Sequence, residues 1–524
     1  MAKEYSITNL LEQYKVGKLC KPEIQREYVW TNDKVRSLLD SLYRDYPVGL
    51  LLFWKPTDKN HLKRLKSQGH LFDPQLAVID GQQRITSLFK VQQAEKDKLV
   101  MFNVKTEEFQ MENPNRKKAD EWIYVHEIWK NFKKTSSMAI QLGTKLYGQN
   151  DNRINDISNR LQAVANILFY NPDVHVIDDD DYEKITTIFV RINESGVKLQ
   201  QEDIALAIGA LKFPGLLIPK LENLRDTNID WNPITKTKLK WFVTALASLT
   251  TNQIKMPPFR KYLHQAKENK LKQNLKALQK SISQTQSFLT DNFGIGQNNN
   301  SVLIPSASVF LILVNYFAYT NNQLPTKNSE LLRLWTFLAF HHGRYSGQSQ
   351  SKTNEDLRVL QPKTTDTIKT WIQSIKDVNG SLQVKQLGEK TNNTSMFTLF
   401  FALQLNKADD WWSGTSIKSI KDIEFHHIFP TNVLKGNYTS DEINDPRNKA
   451  IVSLQINRKL SDTPPEKYFV DKKFISDIDR IYSQFVPNDP ELWKVKNYKS
   501  FLEERGKLIM KKLNDFVSKE EAKI

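Results

Sequence analysis

Apolar residues recur at helical spacing through most of the chain. They form short continuous runs near its beginning and again near its end. Val35, Leu38, Leu39 and Leu42 fall at i, i+3, i+4 and i+7 behind Thr31, Asn32 and Asp33. That spacing predicts a capped helix, closed by Pro47. The runs VGLLLFWK (48–55) and QLAVID (75–80) read as buried strands, with a Lys- and Gly-containing loop between them. Residues 110–235 are expected to be mostly helical. Within them, DDDDYEKITTIFVRINESG (178–196) is an acidic cap, a helix and a glycine stop. Residues 235–405 are expected to be helical throughout, with Leu271, Leu275, Leu278 and Ile282 as one apolar stripe. Lys267, Lys270, Lys272, Lys276 and Lys280 crowd the other sides of that helix. Loop-like composition predicts breaks at 291–300 and 343–356. Composition shifts at KADDWWSG (407–414), and residues 495–518 read as a closing basic amphipathic helix. The fold class expected is α+β, largely helical. Its expected domains are 1–235 (α/β), 236–406 (helical, connecting) and 407–524.

Charge narrows the range of partners. The chain of 524 residues carries 75 Lys and Arg against 59 Asp and Glu, a formal net charge of +16. The basic residues are spread along the chain rather than gathered in a tail, which suits phosphate contacts on a folded surface. Cys20 is the single cysteine, which excludes an intrachain disulfide and a CxxC zinc knuckle. The polar start lacks the apolar core of a signal peptide, so a cytoplasmic location is the default expectation. The most apolar stretch, residues 301–320, is interrupted by Pro305, Ser306, Ser308 and Asn315 and reads as a buried helix, with no membrane partner.

Candidate chemistry concentrates near the C-terminus. IEFHHIF (423–429) is a β-rich run with two histidines, NKAIVSLQ (448–455) is a second apolar run, and NRKLS opens a helix near Asn457. Phosphodiester hydrolysis needs a base for water and a cation for the charge on the leaving oxygen. Histidine titrates in the right range for the base. Asparagine offers a neutral oxygen to a hard cation, and histidine offers a nitrogen. The order and spacing of these residues resemble the His-Me finger nucleases, in their HNH and DUF1524 branch, a ββα-metal fold. The resemblance implies His427 as general base, His426 and Asn457 as metal ligands, and Asn448 as the brace of the loop that shapes the base. The metal-ligand position is often a carboxylate in that family, and here it is His426. The metal is therefore a divalent ion, Mg²⁺ by default, with Mn²⁺ or Ni²⁺ as alternatives. Glu424 shares the strand face of His426 and is a further candidate ligand. HHGR (341–344), by contrast, ends a helical segment and is expected to cap its carbonyls.

A second constellation lies near the N-terminus. VIDGQQRITSLF (78–89) reads as strand, tight turn and helix. Asp80 ends the strand, Gly81 permits the turn and Arg84 opens the helix. A helix N-terminus beside an arginine suits a phosphate, and Gln82 and Gln83 could orient water or read a base edge. A buried Asp–Arg pair stapling strand to helix is the structural alternative. Taken with PEIQREYVW (22–30) and FVRINESGVKLQQEDI (189–204), this turn resembles the DUF262 family, related to the ParB/sulfiredoxin-like fold. That resemblance implies a nucleotide pocket from Gln25, Arg26, Asp80, Gly81, Gln82, Gln83 and Arg84, with Arg191 and Asn193 as weaker members. Trp30 is expected in the core. The acidic run 178–181 is read as a helix cap rather than a metal site.

DUF262 followed by DUF1524 is the order of GmrSD-type modification-dependent restriction systems. The expected function is therefore a nucleotide-regulated, metal-dependent DNA endonuclease of antiphage defence. Its expected partners are DNA, including modified phage DNA, and a nucleoside triphosphate; homo-oligomerisation stays open. A DNA-modification sensor, or an NTPase acting on a partner, with a degenerate nuclease domain in either case, is the alternative.

Overall fold

The computed structural model describes the chain apart from residues 1–4, 23–27, 29, 56, 58–61, 64–73, 113–118, 150, 180–183, 186–187, 189–190, 193–199, 214, 229–230, 232–237, 297–302, 322–325, 361–365, 388–390, 421–422 and 476. It divides into two compact units, Met1–Ile218 and Pro219–Ile524.

In the first unit, β1 (Leu19–Pro22), β2 (Leu51–Trp54), β3 (Leu62–Lys63), β4 (Leu76–Asp80) and β8 (Val174–Ile177) form a five-stranded mixed sheet in the order β3-β1-β4-β2-β8. β1 runs parallel to β4, and β2 antiparallel to β4 and parallel to β8. β2 is buried on both faces, which explains why its sequence is evenly apolar rather than alternating. Leu19, Leu51, Phe53 and Val78 pack on one side against α1 (Ile7–Lys15), α2 (Asn32–Tyr43) and α3 (Gln82–Gln92). Cys20, Leu52, Trp54, Ala77 and Ile79 pack on the other side with Ile185, Ile204, Ala207 and Ala210. Trp30 is half-buried against the first of these clusters.

Two local expectations change. Residues 110–235 are not helical at three places. β5 (Val100–Asn103) is flanked by β6 (Phe109–Met111) and β7 (Trp122–Tyr124) in a three-stranded sheet, and β8 joins the main sheet beside β2. These strands have three or four residues, too short for a period-two pattern to stand out, and β7 and β8 pair with strands well removed in sequence. The break expected at 343–356 is partly helix, because Ser349–Val359 is α-helical. Its polar composition is offset by a buried anchor. Asp356 accepts from Arg344 Nε at 2.6 Å and Nη2 at 2.5 Å, and from the Tyr345 hydroxyl at 2.6 Å. HHGR ends its helix and caps it as expected, with the backbone N–H groups of His342, Gly343 and Arg344 donating to the carbonyls of Leu338, Phe340 and Ala339, while the His341 ring stacks on Phe337 and its Nδ1 lies 3.2 Å from the Thr398 hydroxyl.

The second unit is mainly helical. α4 (Glu268–Phe293) buries Leu271, Leu275, Leu278 and Ile282 and ends at Gly294 in the left-handed conformation. α5 (Ala307–Tyr319) is buried from Val309 to Phe317. No helix among the described residues is long and apolar enough to cross a membrane. Near the C-terminus, β9 (Ile423–His427) and β10 (Lys449–Ser453) form an antiparallel pair, followed by α6 (Leu454–Leu460). The chain closes in α7 (Tyr498–Glu521). A two-stranded ribbon is marginal by itself, and three buried polar side chains complete this one. Gln484 mimics a third strand, accepting from Ile451 N at 2.9 Å and donating to Ile451 O at 2.6 Å. Arg505, wholly buried on α7, donates to the carbonyls of Arg447 and Gln484. Asp410 accepts from Ser453 N at 2.7 Å, pinning the β10–α6 junction.

Candidate nuclease active site

Alternation along β9 sends His426 and His427 to opposite faces. His426 pairs across the ribbon with Ala450, and His427 with Lys449. Ala450 leaves room on its face, and the His426 ring lies between Trp411 and Tyr468. There His426 Nδ1 meets Asn457 Oδ1 at 2.8 Å. Asn457 reaches it because α6 follows β10 directly and turns back over the ribbon. Burial holds the His426 imidazole down at about 4, against a smaller upward pull from Asn457. Its Nε2 is shut off from solvent and has no hydrogen-bond partner. The ring is thus held neutral.

On the other face, His427 Nε2 lies 2.9 Å from Asn444 Oδ1. The Asn444 amide is oriented by its own Nδ2, which donates to Ser440 O at 2.9 Å. Its Oδ1 is therefore an acceptor, which favours the His427 tautomer with the hydrogen on Nε2 and the lone pair on Nδ1. Lys449 Nζ stands 2.5 Å from His427 Nε2 and 3.4 Å from Nδ1. Burial lowers the His427 imidazole below its ordinary value, Lys449 adds to that, and Asn444 opposes it. Asn444 and Lys449 are absent from the sequence reading. The only signal for either was position, Asn444 four residues before Asn448 and Lys449 directly after it.

Asn448 is fully buried in the turn before β10. Its Oδ1 accepts from Phe429 N at 2.9 Å, and its Nδ2 donates to Phe429 O at 3.1 Å and Ile443 O at 3.0 Å. One amide thus ties the end of β9 to the loop that carries Asn444.

The residues fit a divalent ion. Two cis ligands of a small divalent cation, each about 2.1 Å from it, stand roughly 3 Å apart. His426 Nδ1 and Asn457 Oδ1 have that separation, so an ion could replace the proton between them. Among the described residues no group of three or more His, Cys, Asp and Glu converges on one point. Water and phosphate oxygens would supply the rest of the shell. Glu424 is half-buried, two residues before His426 on its face.

The N-terminal turn is built differently. Gly81 has φ 93°, and a Cβ there would meet Leu51 Cδ2 at 2.1 Å, so both conformation and space require glycine. Arg84 Nη1 donates to Val48 O at 2.5 Å and Gly49 O at 2.7 Å, and Nη2 donates to Leu50 O at 2.7 Å and Asp80 Oδ2 at 2.8 Å. All four terminal hydrogens are given to protein acceptors. Gln82, in the first turn of α3, is buried with its Oε1 unpartnered. Gln83 is half-buried beside it, and Arg191 is exposed. Gln25, Arg26 and Asn193 lie outside the described residues. Of the acidic run, Asp178 pairs with Lys55 and Asp179 with Lys184.

A sheet with helices on both faces and a DGQQR turn defines the first unit; a ββα finger with paired histidines defines the candidate site of the second. Residues 7–208 match the family model described as the GmrSD restriction endonuclease, N-terminal domain. The chain is also 23% identical, over 98% of its length and 94% of the relative's, to the uncharacterized protein MJ0686 of Methanocaldococcus jannaschii.

Proposed function

We propose that this protein is a metal-dependent DNA endonuclease of antiphage defence, of the modification-dependent restriction type, controlled by a nucleotide. The observation that carries the reading is the ββα finger: a buried neutral His426 beside Asn457 on one face, and His427, with its tautomer set by Asn444, on the other. The match of residues 7–208 to the N-terminal domain of a restriction endonuclease supports the defence role.

In this reading His427 Nδ1 takes the proton of the attacking water. His426 and Asn457 hold a divalent cation, which when bound would supply charge stabilisation at the leaving oxygen. The exposed Lys267, Lys270, Lys272, Lys276 and Lys280 on and beside α4 offer a phosphate-binding face. The nucleotide belongs to the DGQQR turn. Gln82, buried with a free acceptor in the first turn of α3, supports a ligand there, with Asp80, Gly81 and Gln83 beside it. Arg84 acts by fixing the turn.

Nicking of supercoiled plasmid tests the reading. Wild type should nick with Mg²⁺, Mn²⁺ or Ni²⁺ and stop with chelator, and His427→Ala should be inactive while still binding DNA and folding. A His427→Ala protein that nicks at the wild-type rate would refute it. Nucleotide turnover without any metal-dependent cleavage would favour the alternative, an NTPase or sensor with a degenerate finger.

A further inference from the structure

We propose that Lys449 is a catalytic residue of this finger, its ammonium binding a non-bridging oxygen of the scissile phosphate beside His427. The inference rests on the nuclease reading above and assigns that site a group that neither the motif nor the family match supplies.

Three observations carry it. Lys449 is the cross-strand partner of His427, so both side chains rise from the same face of the ribbon. Its side chain is buried, with 6% of the residue exposed, and among the described residues no carboxylate stands within ion-pair distance of it. A buried ammonium without an anion is costly, and such groups are usually paired. Third, none of the groups it touches carries negative charge. They are the His427 ring, with Nε2 at 2.5 Å and Nδ1 at 3.4 Å, and Asn444 Oδ1, at 3.4 Å. The ammonium charge is left unmatched, and the missing partner is an oxygen-rich anion. Burial brings the Lys449 amine down to about 8, which leaves it mainly protonated at neutral pH. Beside a general base on a chain of net charge +16, the anion with this chemistry is a phosphodiester.

The step balances without further reagents. The water oxygen bonds to phosphorus as its proton passes to His427 Nδ1. The P–O bond to the leaving sugar oxygen breaks with its electron pair, and that oxygen takes a proton from solvent. Lys449 gains and loses nothing; it offsets the negative charge that grows on the phosphoryl oxygens.

The test uses the full chain and supercoiled plasmid, comparing wild type, His427→Ala, Lys449→Met and Lys449→Arg. Methionine keeps the stem and removes the charge; arginine restores the charge. Lys449→Met should lower kcat by about 100-fold or more with KM changed less than about threefold, and Lys449→Arg should recover at least about a tenth of wild-type kcat. Lys449→Met cutting within about threefold of wild type, beside an inactive His427→Ala, overturns the role of Lys449 and leaves the nuclease reading standing. So does a Lys449→Met loss that appears only in KM, or Lys449→Arg as inactive as Lys449→Met. A His427→Ala protein that cuts like wild type instead removes the nuclease reading itself, and this proposal with it. Should Lys449→Met fail to fold, Lys449→Gln replaces it under the same criteria.

Discussion

Asn444 gives its amide oxygen to His427 at 2.9 Å while its amide nitrogen is held by the Ser440 carbonyl at the same distance. The second bond makes the first directional. It fixes which end of the amide faces the imidazole, and hence which ring nitrogen stays free to accept a proton. Asn444→Ala should leave the ring in both tautomers and lower plasmid nicking about 10- to 100-fold, with DNA affinity unchanged. Asn444→Asp should act through charge instead. A carboxylate would stabilise the imidazolium and raise the His427 pKa, so the base form would exist only at higher pH. The acid limb of the pH–rate profile should then move upward, and activity at neutral pH should fall. An Asn444→Asp profile that overlays the wild type would show that Asn444 does not orient the base.

Asn448 and His427 should separate into stability and chemistry. Asn448→Ala removes three hydrogen bonds and strands the Phe429 N–H in a buried turn. The cost should be about 3 kcal/mol or more, read as a lower urea midpoint for unfolding of the second unit. His427→Ala is at a half-buried position that faces Asn444 and Lys449 and should change that midpoint little. Equal midpoints for Asn448→Ala and wild type would contradict the bracing role drawn from the geometry.

Much of this was readable in the sequence because the signal was local. The face of Val35, Leu38, Leu39 and Leu42 is buried in α2, and the runs at 48–55 and 75–80 contain β2 and β4. β6, β7 and β8 were not legible. Three or four residues carry almost no periodicity, and the partners of β7 and β8 lie at a distance in sequence. The same reason hid Lys449 and Asn444. Lys449 matters because strand register sets it opposite His427, and Asn444 because Asn448 folds its loop back onto β9. Neither relation has a spacing that the linear chain displays. Arg84 is the converse case. Its turn is conspicuous in sequence, yet its guanidinium is turned onto the carbonyls of residues 48–50.

Arg84→Ala should therefore act first on stability. The guanidinium ties the 48–50 segment and Asp80 to the start of α3. Losing these bonds should destabilise the first unit by about 2–4 kcal/mol, measurable as an earlier thermal transition. Nucleotide turnover, where present, should fall in step with the folded fraction. A normally stable Arg84→Ala protein that has lost only nucleotide turnover would mean that the arginine leaves its carbonyls to meet phosphate.

Acid should weaken the second unit through two buried histidines. Burial brings His341 down to about 3 and His426 to about 4. Both stay neutral in the folded chain, while the unfolded chain protonates near pH 6.5. The unfolded state therefore binds more protons as pH falls below about 6.5. The contribution is complete above that pH and is lost down to each folded value, by about 1.4 kcal/mol per histidine per pH unit at most. Urea midpoints from pH 7 to 4.5 should decline in wild type and decline less steeply in His341→Leu. Paired carboxylates such as Glu442, held down at about 2, lose their contribution mainly below this window. Parallel slopes for the two proteins would exclude His341 as a source of the acid sensitivity.

Asn457 offers the most direct test of the metal. Its Oδ1 stands 2.8 Å from His426 Nδ1, the spacing of two ligands on one ion. Without metal the pair is joined by the Nδ1–H hydrogen bond; with metal that hydrogen would sit on Nε2 instead. Metal binding should therefore release no proton near neutral pH and weaken only as pH falls toward the His426 value of about 4. With two neutral protein donors the site should be weak, and imidazole should favour Ni²⁺ and Mn²⁺ over Mg²⁺. Asn457→Ala keeps His427 and one ligand. It should fail with dilute Mg²⁺ and recover part of its activity in excess Mn²⁺, with a raised metal concentration for half-maximal cutting. The same shift should appear when Mn²⁺ binding is followed by electron paramagnetic resonance in the absence of DNA. A folded Asn457→Ala protein that binds Mn²⁺ as wild type does, yet stays inactive at every metal concentration, would make Asn457 a structural partner of His426 and not a ligand.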